Sequence, residues 1–500
     1  MTATLRREPG VATAGPRSRG LVLPGVVALL SAGVFALVRP HLVDDTFITL
    51  AYARNLAFHA HWGLIPAETS NTATSPLNVL LLAALTVVLR NAVLAAGALF
   101  VLCQVALALA LRRAGDRAGL PAWFAPGAVA LLTVNPLLLS SIGLEVELGA
   151  AGVAWLLVCA AERRPVAFGV LTGLLALVRP DLVVVALVLF ALRARFWVQA
   201  WQSVLAAAAV ALPWFAFSWV VLGSAVPDTV IIKTLQKSWG KWDFGNGPGL
   251  YAEVFPWATA AAFLPAALAL LAFAVCLVDA ARRGPLWTRV RPFVPLVPAG
   301  IAHYLAYSRL HVPPYHWYYG PSLVAATLFL AAVAAATVRV PARVAAAAAV
   351  VGVLVVSVGA YAAGGLPRRF APLMSNHAAT ADYERIGPEL GRLVGGGTVR
   401  SGGEIGVLAY SCGCAIVDLF DDRGAVGPAI AERKAHLGAL GRVLVDANFR
   451  FFDFGDRPIV TDFALVRGDP PAGALAHWTL TSPWAGTQQL YLVRGNGSGA

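Results

Sequence analysis

Twelve apolar runs, at 21–38, 76–89, 92–111, 123–140, 146–161, 166–179, 181–192, 201–222, 258–278, 292–308, 320–337 and 344–363, dictate what this 500-residue chain is able to fold into. Runs of this length, recurring with short polar connections, exceed what one soluble core buries and match the thickness of a bilayer. With 58% hydrophobic and 13% charged residues, the chain reads as a polytopic α-helical membrane protein.

The 38 Lys and Arg outnumber the 26 Asp and Glu, an excess that in a soluble domain would point to nucleic acid. Here the basic residues sit in short clusters between apolar runs: Arg6-Arg7, Arg112-Arg113, Arg163-Arg164, Arg193 with Arg195, Arg282-Arg283, and Arg339 with Arg343. That is the pattern of cytoplasmic loops, with no nucleic-acid partner. Placing every cluster inside requires 76–89 to be an interfacial or re-entrant helix rather than a span. The pair 166–179 and 181–192, interrupted at Arg179-Pro180, reads as two short helices meeting in the membrane. Eleven spans follow, two of them short, in the cell membrane. The first run is long for a signal peptide and leads into Arg39-Pro40 without a cleavage pattern, so a cytoplasmic tail over 1–20 and an uncleaved first helix are expected.

After residue 364 the pattern changes. Strand-length apolar runs at 415–418, 443–445, 464–466 and 490–493 alternate with helical stretches near 380–394 and 425–440. The expected organisation is a membrane region over 21–364, with a first outer loop at 39–75, and an extracytoplasmic α/β domain over 365–500. Of five cysteines, Cys103, Cys159 and Cys276 fall in apolar runs. Cys412 and Cys414 could meet an oxidising compartment, but a one-residue gap strains a bridge, and free thiols are expected.

Four outer-facing elements carry groups suited to chemistry. Asp44-Asp45 opens the first outer loop, directly after the first apolar run, where two adjacent carboxylates are expensive to desolvate. One of them could take a proton from a hydroxyl; capping of the following helix is the structural alternative. The same loop carries Tyr52, Arg54, Asn55, His59, His61 and Trp62, and its aromatic faces suit sugars. Glu145 and the pair Arg179 and Asp181 stand at span boundaries, as cavity groups or as a structural ion pair at a proline break. Lys233 offers a point charge for a lipid-linked phosphate, or a membrane anchor. Tyr315-His316-Trp317-Tyr318-Tyr319 is an aromatic belt or a sugar-stacking surface. The spacing of His59 and His61 fits no specific metal site; a divalent cation held with Asp44 and Asp45 stays open as an assisting cofactor.

In order, Asp44-Asp45-Thr46-Phe47-Ile48, Tyr52-Ala53-Arg54-Asn55-Leu56, Thr74-Ser75-Pro76-Leu77, Gly143-Leu144-Glu145, Arg179-Pro180-Asp181 and the segment from Pro227-Asp228-Thr229 to Lys233 resemble the GT-C membrane glycosyltransferases of the mycobacterial arabinofuranosyltransferase B type. Gly403-Glu404-Ile405-Gly406-Val407-Leu408-Ala409-Tyr410 and Ile416-Val417-Asp418-Leu419 extend the resemblance into the C-terminal region. It implies a polyprenyl-phosphate sugar donor, with arabinofuranose one option, and a cell-wall or surface glycan acceptor outside the cytoplasm. It implies Asp44 as base, Asp45 as its close support, and Glu145 and Arg179 lining the cavity. The sequence departs from the pattern at His59-Ala60-His61-Trp62-Gly63, at Asn78 and at Asp228. A lipid-linked sugar transporter or flippase, and a non-catalytic glycan-binding assembly subunit, are the alternatives; the absence of an internal repeat weighs against the transporter.

Overall fold

The structure, a computed structural model, describes residues 19–66, 68–337, 340–366 and 368–495. Residues 1–18 of the expected tail, with Arg6-Arg7, and Arg339 lie outside the described residues.

The protein is a multi-pass helical membrane protein carrying a small sheet near its C-terminus. Among the described residues six helices are long and apolar enough to cross a membrane: Leu21–His41, Ala92–Ala118, Trp197–Val221, Pro256–Ala281, His316–Ala336 and Ala342–Ala362. Shorter apolar helices at Pro76–Leu89, Phe124–Thr133, Pro165–Val178 and Leu182–Ala191 fill the bundle. The helix His316–Ala336 is its centre, 89% of its apolar stretch being buried, against 6% for Trp197–Val221, whose Val204, Leu205 and Leu212 face outward as a lipid-facing surface requires.

Proline and small residues set the joints. Pro180 disfavours helical backbone at Arg179, which is extended, so the helix stops at Val178 and restarts at Leu182. The run expected over 123–140 is likewise two helices, Phe124–Thr133 and Pro136–Leu139, because the Asn135 side chain accepts from the Leu137 and Leu138 amides and begins a new helix ahead of Pro136. Gly169 and Gly173, four apart, let Pro165–Val178 lie backbone to backbone against Ala200–Val221. A methyl at either would come within 2.2 Å of Ser203 O or 2.6 Å of Ala207 O. The 14-residue helix Pro76–Leu89 is about 21 Å long, short of a bilayer core.

The sheet has the order β2-β1-β3-β5-β4, with β1 Thr398–Ser401, β2 Ala415–Val417, β3 Phe463–Arg467, β4 Ala476–Ser482 and β5 Gly486–Arg494. β1 runs parallel to β2 and β3, and β5 pairs antiparallel with β3 and β4. The expected strand at 443–445 is instead part of the helix Ala439–Asn448. Helical spacing puts Leu440, Val443 and Leu444 on an outward face and Val445 inside, a split that a three-residue apolar run conceals. Cys412 and Cys414 are disulfide-bonded, contrary to the expectation of free thiols: left-handed backbone at Gly413 folds the chain back and brings their Cα atoms to 5.2 Å. Cys103, Cys159 and Cys276 are free and buried.

The C-terminal region is fastened to the loops between the helices rather than tethered. Gly406 packs so closely that a methyl there would lie 2.0 Å from Asp44 O. Arg54 donates to Tyr410 O at 2.6 Å and lies over the Tyr410 ring, Ser70 donates to Asp421 at 3.0 Å, and Arg423 donates to Leu222 O at 3.1 Å.

Candidate active site

Between one end of the membrane helices and the sheet lies a cavity of about 510 Å³, a size suited to a small polar ligand. Its wall draws on distant parts of the chain that only the fold brings together, among them the helix start at Asp44-Asp45, the segment 72–74, Glu145, Lys233 with Trp239, Tyr315, and the C-terminal residues Glu404, Asp418, Asp421, Arg467 and Trp484.

The two adjacent aspartates occupy different environments. Both begin the helix Asp44–His59, so their side chains leave it in different directions. Asp44 is 5% exposed. Its carboxylate accepts three backbone N–H groups, from Ile405 (3.1 Å), Gly406 (2.8 Å) and Val407 (2.9 Å). Burial pushes its carboxyl up and these donors hold it back. It therefore joins the start of the helix Asp44–His59 to the start of the helix Gly406–Ser411. Asp45 is half-buried and lines the cavity, and no other described residue gives it a hydrogen bond or an ion pair. Burial pushes its carboxyl up to about 6; Lys233 pulls against that shift, while Asp44 and Glu145 add to it.

Lys233, on the short helix Thr229–Gln236, reaches the cavity across an aromatic cradle. Its Nζ donates to Tyr318 Oη at 2.7 Å and sits 4.2 Å from the Tyr315 ring centre. Trp239 packs edge-on to Tyr315 at 4.9 Å and to Trp484 at 5.9 Å, giving the cavity an aromatic side.

A set of acids also lines the cavity. Asp418 accepts the Phe420 and Asp421 amides, and Asp421 accepts from Ser70. Burial pushes both carboxyls up, Asp44 and Asp45 adding to the effect at Asp418 and Asp418 adding to it at Asp421. Burial, with Asp44 nearby, also pushes Glu404 up to about 7 while it accepts from Tyr383 at 2.6 Å and the His377 amide at 2.5 Å. No group of three or more His, Cys, Asp or Glu among the described residues is placed to hold a metal ion. His61 bonds Ile65 O and Glu68 O, away from the aspartates.

Of the residues singled out in the sequence, Asp44, Asp45, Glu145 and Lys233 line the cavity. Arg179 does not: it is buried behind Glu145, bridging to it at 3.0 Å and to Asp181 at 2.9 Å, donating to Tyr307 Oη, and stacking 4.8 Å from the Tyr318 ring. Asp181 is held between Arg179 and His303 (2.8 Å), also off the cavity. His316 is buried with Nε2 3.4 Å from Ser140 O. Tyr52 bonds Thr72 Oγ1 at 2.7 Å, and Asn55 donates to Gly63 O at 2.9 Å and Leu64 O at 2.8 Å; both shape the loop that presents Thr72 and Thr74. Arg54 serves the contact with Tyr410 described above. The sequence reading gave no role to Arg467, Trp239 or Trp484. Arg467 closes an ordinary strand and Trp484 sits in the β4–β5 turn, so only the sheet register aims them inward.

No protein-family model matches the sequence, and no curated protein matches it as a relative. Solved structures do resemble it. ArnT from Cupriavidus metallidurans bound to undecaprenyl phosphate superposes with a TM-score of 0.56 at 14% identity, covering 97% of this chain and 100% of that one. The apo state of the same protein gives 0.50 at 14% identity over the same shares. Arabinofuranosyltransferase AftD from Mycobacteria gives 0.44 at 15% identity, over 95% of this chain and 40% of that one. The chain has the fold of the GT-C membrane glycosyltransferases.

Proposed function

We propose that the protein is a membrane glycosyltransferase that moves a sugar from a polyprenyl-phosphate donor to a glycan acceptor outside the cytoplasm, with the C-terminal sheet on the same side as the acceptor. The observation that carries this reading is a cavity at the ends of the membrane helices that holds an uncommitted carboxylate, Asp45, together with a cation, Lys233. In such a reaction the acceptor hydroxyl attacks the anomeric carbon. The new C–O bond forms as the bond to phosphate breaks, the bonding pair leaves with the polyprenyl phosphate, and the hydroxyl proton goes to the base. Asp45 is the base because it faces the cavity and no other described residue bonds its carboxylate. Asp44 is its positioning neighbour, since its oxygens are occupied by three N–H groups. Lys233, anchored to Tyr318 at the start of a membrane helix, stands where the phosphate of a lipid-held donor would arrive and offsets the charge of the leaving group. Arg179 acts one layer back, fixing Glu145 and Tyr318. Undecaprenyl phosphate bound to ArnT of the same fold supports the class of donor; arabinofuranose is the sugar the sequence resemblance favours.

The test is to incubate the purified full chain with a panel of polyprenyl-phosphate sugars and a cell-wall glycan preparation. Acceptor-dependent release of polyprenyl phosphate is expected. Release with none of the panel, with glycan still bound, would favour a binding subunit; movement of intact donor across a vesicle would favour a flippase.

A further inference from the structure

Arg467 ends β3 and lines the cavity, yet among the described residues its guanidinium makes no hydrogen bond or ion pair, and its Nε is buried without a partner. A buried, unpaired donor on a permanent cation is costly unless something else occupies it. The nearby acids are already engaged: Asp44 by three amides, Glu404 by Tyr383 and the His377 amide. The backbone keeps room for the group, since a methyl at Gly403 would lie 2.6 Å from Arg467 Nη1.

Arg467 and His377 also line a second, open groove of about 570 Å³, floored by Thr487, Gln488 and Gln489 of β5. Gln488 holds the His377 ring at 3.0 Å, so the junction between groove and cavity is fixed. Lys233 is tied to the start of a membrane helix, whereas Arg467 belongs to the sheet, so the two cations of the cavity are supplied by different parts of the fold. The groove's side chains are held by Thr481, Ala485 O, His377 and Thr479, and the second N–H and the remaining lone pairs of the Gln488 and Gln489 amides suit the hydroxyls of a glycan.

We propose that Arg467 is an anion subsite for the acceptor, which enters along the β5 groove and carries a carboxylate or phosphate near the accepting hydroxyl. The proposal rests on the transfer reading above, but its test does not need turnover. The full chain in lipid nanodiscs, without donor, is titrated with a glucuronate-bearing oligosaccharide, a phosphorylated one and their neutral parent, following the fluorescence of the cavity tryptophans. At least one acidic ligand should bind about tenfold or more tightly than the neutral parent. Arg467→Gln should remove that difference and Gly403→Ala should reduce it, whereas Lys233→Gln should keep it. Which acidic ligand gains the difference separates a carboxylate from a phosphate acceptor. Equal binding of all three ligands, or a difference that survives Arg467→Gln, would overturn the proposal. So would displacement of the acidic oligosaccharide by polyprenyl phosphate, which would make Arg467 part of the donor site. A melting temperature lowered by Arg467→Gln with selectivity intact would reduce the residue to charge balance.

Discussion

Asp44 and Asp45 are adjacent in sequence and differ in what surrounds each carboxylate. Replacing Asp44 by Asn puts an amide NH₂ where one oxygen met backbone donors, so Asp44→Asn should lower stability by about 1.5–3 kcal/mol, read as a fall in melting temperature in detergent. Asp45 must be ionised to accept a proton, and its carboxyl is pushed up to about 6. Transfer should therefore rise with pH through that value, the protonated form below it being inactive. Lys233 pulls this pKa down, so Lys233→Met should move the acid limb of kcat/KM to higher pH; an unmoved limb would separate Lys233 from Asp45. The aspartate pair was legible as a candidate, because two carboxylates beside an apolar run stand out, and both line the cavity. Their different surroundings were not legible, because the three amides that bond Asp44 come from residues more than 350 positions away; the proposal of Asp45 rather than Asp44 as base rests on that difference.

At the scale of elements, the close packing of Pro165–Val178 on Ala200–Val221 depends on two glycines rather than on large side chains. Gly169→Leu should destabilise the fold by about 1–3 kcal/mol through overpacking against Ser203. Gly25→Leu, where nothing lies within 4 Å, should leave the melting temperature unchanged; equal effects of the two would remove the helix pair as a source of stability. The break at Arg179-Pro180 was readable from Pro180 alone, since the residue before proline resists helical backbone. Arg179 could not be placed on or off the cavity from sequence, because Glu145, Tyr307 and Tyr318, which enclose it, come from separate helices and the joint before one of them. Val443-Leu444-Val445 was misread as a strand because three apolar residues carry no period long enough to distinguish 2 from 3.6.

For the whole molecule, the cavity exists only where the membrane helices and the sheet meet, which makes the side of the membrane on which they meet a functional matter. The arginine clusters of the sequence lead to the expectation that this side is outside. A single cysteine introduced at Thr479, exposed on β4, in a variant lacking the native cysteines, should therefore react with an impermeant thiol reagent in whole cells, and one at Arg112 should not. The reverse labelling would turn the cavity toward the cytoplasm. The central claim is that this cavity transfers a sugar with Asp45 as base, and its most direct measurement compares transfer by Asp45→Asn, Asp44→Asn and the unaltered protein at equal amounts of folded enzyme. Asp45→Asn should fall by about two to four orders of magnitude with an unchanged melting temperature, and Asp44→Asn should lose stability together with whatever activity it loses. Near-normal transfer by Asp45→Asn would contradict the account.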